Sequence, residues 1–118
     1  MTAALFLLVG CSRESWLAKF HIVRAEEMFT KAYELRSKKD QQGRRLKLYR
    51  ESCNHFLKAR HLNPAVFTLY RIEIAYQACR WVEDEEASEV FREFEEEYAQ
   101  AHPTEVEFGD AMLPPLEG

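Results

Sequence analysis

Apolar side chains recur along this chain at steps of three and four residues, the period of an α-helix, and the pattern is helical throughout. Trp16, Phe20, Val23, Ala25, Met28, Phe29, Ala32 and Leu35 form one stripe, which predicts a helix from about Ser15 to Ser37. Lys38 to Gln42 end it, and Gly43 is expected to act as a joint. The stripe of Leu46, Tyr49, Ser52, Cys53, Phe56, Ala59 and Leu62 predicts a second helix, stopped by Asn63-Pro64. Val66 to Val82 is apolar nearly all round, as suits a helix packed on more than one side. Asp84 is placed to cap a fourth helix, whose buried stripe is Ala87, Val90, Phe91, Phe94, Tyr98 and Ala101. Glu89, Glu93, Glu95, Glu96 and Glu97 lie opposite, as a solvated face. Thr104 and Glu107 have the spacing of a capping box for one more short turn, and Pro114-Pro115 stops any long continuation. The pattern predicts an all-α fold of two antiparallel helical hairpins.

Composition narrows the reading. A chain of 118 residues with 47% hydrophobic and 13% aromatic residues is one domain with a modest core, and four Gly and four Pro are few for an all-β fold. The net charge of −4 hides an asymmetry: Arg13 to Arg60 carries 13 bases and 6 acids, whereas His61 to Gly118 carries 3 bases and 14 acids. Halves of opposite sign attract within one fold and can steer charged partners. With a pI near 5.6 and no reading motif, no nucleic-acid partner is expected.

The chemistry of an enzyme is not visible. Glycines at 10, 43, 109 and 118 write no phosphate-cradling loop or nucleophile elbow. His21, His55, His61 and His102 are dispersed, and Cys53 and His55 are two apart, on different faces of a helix. No metal, cofactor, catalytic residue or small-molecule substrate is expected. Three cysteines do not make a disulfide framework. A turn near Asn63 would set Cys53 opposite the low to mid 70s, about one helical turn from Cys79. The expectation is therefore two small buried thiols, with a bond between them as the alternative.

Leu8-Val9-Gly10-Cys11, closing the apolar run from Ala3, resembles the lipobox of bacterial lipoproteins. The resemblance implies cleavage before Cys11, lipidation of that cysteine and a leader over residues 1–10. Ser12, in place of an aspartate, implies sorting to the outer membrane, on its periplasmic face. The stretch carries no Lys or Arg before Cys11, a departure from the family. The alternative is that Ala3 to Val9 begins the first helix and packs into the domain, as in a soluble cytoplasmic module.

Ser52, Phe56, Ala59 and Pro64, echoed by Ala87, Phe91, Phe94 and Pro103, resemble the ends of tetratricopeptide units. The resemblance implies that residues 11–103 stack as a short right-handed solenoid, followed by a tail over 104–118. It also implies that the inner faces of the first and third helices bind a partner, which selects Lys31, Tyr33 and Arg71. Arg71 is one of only three bases after Arg60. The function expected is a membrane-tethered, non-catalytic adaptor for another envelope protein or peptide. Its alternative is the cytoplasmic interaction module without an anchor.

Overall fold

The computed structural model describes the backbone of residues 2–103 and the side chains of residues 13–103. Among them are four α-helices: α1 (Thr2–Glu34), α2 (Gln42–Leu62), α3 (Leu69–Trp81) and α4 (Glu85–Ala101). There is no strand among the described residues. Each helix packs antiparallel on the one before. Residues 21, 25 and 29 of α1 meet 55, 52 and 49 of α2. Tyr49 and Cys53 of α2 meet Trp81 and Cys79 of α3.

Small residues set the closest approach. Ser52 is fully buried, and its hydroxyl donates to the Ala25 carbonyl across the α1–α2 seam at 2.8 Å. Ala18, Ala25, Ala32 and Ala59 are fully buried as well, so backbones come together where side chains are shortest. Rings fill the wedges between helices. Tyr49 stacks on Trp81 at 5.7 Å, with the Arg45 guanidinium 4.3 Å from the Trp81 ring on its way out of the core. Phe56, Phe67, Phe91 and Phe94 form a second cluster that joins α2 to α4. Burying each such ring contributes on the order of 1.5 to 3 kcal/mol.

Several boundaries differ from the sequence expectation. The first helix starts at Thr2, well before Ser15, and ends at Glu34. Gly43 is no joint: it lies in the first turn of α2 with open space around it, and the break falls earlier, at a 3-10 turn over Lys39–Gln41. The third helix starts at Leu69, because Pro64–Val66 is a separate 3-10 turn and Phe67 and Thr68 are extended. Asp84 caps α4 as expected, accepting from the Ala87 amide at 3.0 Å. Just before it, Glu83 stands at φ 56°, in the left-handed position that closes α3. The amides of Glu83 and Asp84 donate to the carbonyls of Arg80 and Cys79, a Schellman closure usually built on glycine.

Cys53 and Cys79 are bonded to each other, which corrects the expectation of two free thiols. The physical reason is register. The connection between α2 and α3 takes up Asn63 to Thr68, so its centre falls near Val66, and residues equally spaced about Val66 face each other. Cys53 and Cys79 are such a pair.

The side chains of Leu8 to Cys11 lie outside the described residues, as do Thr104, Glu107 and Pro114-Pro115. Among the described residues, no helix is long and apolar enough to cross a membrane.

Candidate functional site

The chain from α2 into α3 is held at both ends. The Asn63 side chain accepts from the Ala65 amide at 3.1 Å, and Pro64 sets the first turn without needing a donor. Four residues on, Thr68 accepts from the Arg71 amide and starts α3. Between the two caps, Val66 and Phe67 turn inward and are buried.

This fixed connection and the first exposed stretch of α1 border an open cavity of about 510 Å³. Its apolar lining comes from Ile22 and Val23 of α1 and from Ala65, Val66 and Phe67. Ser15, Asn63 and Thr68 supply polar atoms, and Lys19 and Arg71 supply two cations. No acid and no imidazole is among the lining residues. The Arg71 guanidinium is oriented from behind: Nε donates to Glu26 of α1 at 2.6 Å and Nη1 to the Val66 carbonyl at 2.7 Å. Arg71 thus ties α3 to α1 and to the connection while lining the cavity. Such a lining can receive an apolar side chain with a carboxylate beside it.

Of the three residues selected from sequence, Arg71 lies in this cavity, and Lys31 and Tyr33 do not. Lys31 is exposed on α1, about 18 Å of helix rise beyond Lys19. Tyr33 is half-buried under the Arg36 guanidinium, 4.0 Å from the ring centre. Sequence reasoning missed Lys19, Ile22, Val23, Val66 and Phe67 as site residues. The signal for them was Thr68 before Leu69, a second cap that separates Pro64 to Phe67 from α3 and makes a cavity wall of them.

A second polar cluster sits on the α1–α2 seam. His21 and His55 share a hydrogen bond between their Nδ1 atoms at 2.9 Å, so one ring donates and the other accepts. Burial holds both imidazoles below their usual value of 6.5; Lys58 adds to this at His21, and His21, Lys58 and Arg24 add to it at His55 against the opposing pull of Glu51. Protonating both rings would set two N–H groups against each other. Because the unfolded chain takes up these protons first as pH falls below 6.5, stability is expected to drop through that window and level off once the folded pair is protonated. Melting midpoints across pH 7 to 5 check this, and His55→Gln should flatten the slope; an unchanged slope in that variant would assign it to other groups.

On α4 the acids behave as a solvated face. Arg92 pairs with both Glu89 and Glu96. The hydrogen bond from Arg92 holds the Glu89 carboxyl below its usual range and raises the guanidinium in turn. Exposed pairs of this kind add little to stability. Among the described residues, no group of three or more His, Cys, Asp and Glu side chains is arranged to hold a metal ion.

No family model matches the chain, and neither a curated protein nor a solved structure matches it.

Proposed function

We propose that this chain is a membrane-tethered, non-catalytic helical adaptor, and that it binds an apolar, acid-bearing segment of another envelope protein in the cavity between α1 and the α2–α3 connection. The observation that carries the reading is the lining itself, apolar walls with two cations and no acid. Lys19 and Arg71 would meet the carboxylate and Ile22, Val23 and Phe67 the apolar part of the segment. The tetratricopeptide-like stack belongs to this reading, and the antiparallel order of the four helices and the close approach at Ser52 support it. Lys31 and Tyr33 would extend the binding face along α1.

The compartment follows from chemistry of another kind. Disulfides persist in oxidising surroundings such as the periplasm and are rare in the cytosol, so the Cys53–Cys79 bond supports the envelope over the cytoplasm. Lipid on Cys11 would hold the protein at the outer membrane, facing the periplasm.

One experiment addresses anchor and site together, by fractionating and cross-linking cells that express wild type, Cys11→Ser or Lys19→Glu. Lys19→Glu is the cleaner site variant, because Arg71→Glu would set a carboxylate against Glu26. With membranes washed at high salt, which weakens any contact of bases with lipid phosphates, Cys11→Ser should move from membrane to soluble fractions while wild type stays bound. Lys19→Glu should stay at the membrane and lose its partner, with affinity lower by about tenfold or more and the melting midpoint preserved. Equal fractionation of wild type and Cys11→Ser would overturn the tether, and an unchanged partner set for Lys19→Glu would overturn the site. A soluble wild-type protein with free thiols would support the cytoplasmic module.

A further inference from the structure

Among the described residues, three of the five large apolar side chains most open to solvent lie on one stripe of α1: Trp16 at 65% exposure, Phe20 at 46% and Val23 at 57%. They follow at steps of four and three, on the side of the helix turned away from Ala18, Ile22 and Ala25, which are buried against the rest of the fold. Trp16 and Phe20 lie against each other, with ring centres 6.1 Å apart, so the face is a continuous aromatic surface. An exposed stripe of this kind marks an interaction site.

Its surroundings indicate the chemistry of what it meets. Arg13, Lys19 and Arg24 flank the stripe on α1, with Glu14 among them and Glu27, which accepts from Arg24 at 2.8 Å, at its C-terminal end. Beside it, Lys58 of α2 acts together with Arg24 on His55. The helix that bears the stripe is unbroken through position 11, so the proposed lipid site lies on the same axis as Trp16 and Phe20. A helix with aromatic and aliphatic side chains on one face and Lys and Arg beside them is suited to lie in the interface of a bilayer, with the bases near lipid phosphates.

We propose that the outer face of α1, with Trp16 and Phe20 inserted and Arg13, Arg24 and Lys58 around them, docks on an anionic lipid surface. The geometry rests in part on the tethered reading above: lipid on Cys11 would stand about 7.5 Å of helix rise from Trp16, so anchor and face would reach the same membrane. Trp16 and Phe20 are not among the lining residues of the cavity, which lies toward Ser15, Lys19 and Ile22, and Val23 stands at the border of the two faces. A protein held at two points would present that cavity at a fixed height and orientation instead of swinging on a single anchor.

The test uses the full chain carrying Cys11→Ser, which has no lipid of its own, with vesicles of phosphatidylcholine alone or mixed with phosphatidylglycerol. Co-sedimentation is expected with the mixed vesicles, and it should weaken as salt is raised. Replacing Arg13 and Arg24 by Gln should lower binding roughly thirtyfold, and Trp16→Ser with Phe20→Ser should abolish it, with melting midpoints unchanged. In a Trp81→Phe background, Trp16 emission should shift to the blue on binding. Equal binding to both vesicle types, binding insensitive to salt, or binding that survives loss of Trp16 and Phe20 would overturn the proposal. So would self-association without vesicles that the serine variants remove, which would assign the face to a second copy. Lys19→Glu loses the cavity partner under the reading above, whereas Arg13→Gln and Arg24→Gln do not, so the two readings fail separately.

Discussion

Reducing the Cys53–Cys79 bond is expected to lower the stability of the fold by about 3.5 kcal/mol. The two cysteines are 26 residues apart in sequence, and opening a loop of that length returns chain entropy of this size to the unfolded state. For a domain of about 100 residues the melting midpoint should fall by roughly 15 to 25 °C. The native fold tolerates the bond well, since a Cα–Cα distance of 5.0 Å is within the usual span of about 4.4 to 6.8 Å. Both cysteines are buried, so a reductant reaches them only when the α2–α3 hairpin opens. Melting the wild type with and without reductant, beside a Cys53→Ala, Cys79→Ala double variant, checks the value. Reduced wild type and the double variant should melt within a few degrees of each other. Alkylation of either thiol in unreduced, unfolded protein would show that the bond is absent and withdraw this support for the periplasm.

The four helices were legible because their stripes are carried by residues that can do little else. Phe91, Phe94 and Tyr98 fall on one side of α4 and Glu89, Glu93, Glu96 and Glu97 on the other, with Glu95 at the border and half-buried, and no strand would sort them so. The cap at Asp84 was legible for a similar reason, since a short acceptor before an acidic first turn matches the unpaired amides of a helix start. Register was harder to read. Asn63-Pro64 looked like the whole turn, and the three further residues before Thr68 shifted every α2–α3 pairing toward the C-terminus. Moving the centre of the turn by three residues, from near Asn63 to near Val66, moves each partner by about six, more than a full helical turn, and it separates an unpaired Cys79 from a bonded one.

That same connection explains why the site was read only in part. Arg71 stood out as one of only three bases in an acidic half, and it lines the cavity. Its two hydrogen bonds, to Glu26 and to the Val66 carbonyl, depend on which helix lies across from α3, and spacing along one chain does not give this. Val66 and Phe67 read as the start of a helix face. They became a cavity wall because Thr68 caps α3 after them. Trp16 and Phe20 read as core, since periodicity marks one apolar stripe without saying how wide it is. On α1 the apolar residues wrap further around the helix than α2 and α3 can cover.

Phe91→Ala is expected to remove about 4 kcal/mol, the cost of emptying a ring-sized space in a packed core. Phe91 is fully buried and meets Phe56 of α2 edge-on at 6.5 Å and Phe67 at 5.9 Å, and Phe67 in turn meets Phe94 at 5.2 Å. The ring therefore joins three parts of the fold, and its neighbours are large and held by their own contacts, which limits how far they can collapse into the gap. Val90, half-buried on the next position, should cost much less when cut to Ala, and Glu93→Ala on the solvated face should stay within about 0.5 kcal/mol of wild type. A domain of this size commonly has about 5 to 15 kcal/mol in all, so Phe91→Ala alone should still fold but melt roughly 20 °C lower. The disulfide acts mainly on the unfolded chain and Phe91 on the native core, so their costs should add to a first approximation. Reduced Phe91→Ala is then about 7.5 kcal/mol below oxidised wild type, close to the whole stability of many such domains. It should lose much of its helix signal at 25 °C, while each single perturbation retains most of it. A reduced Phe91→Ala chain that melts as high as the oxidised variant would mean that the ring cluster and the disulfide do not stabilise the same cooperative unit.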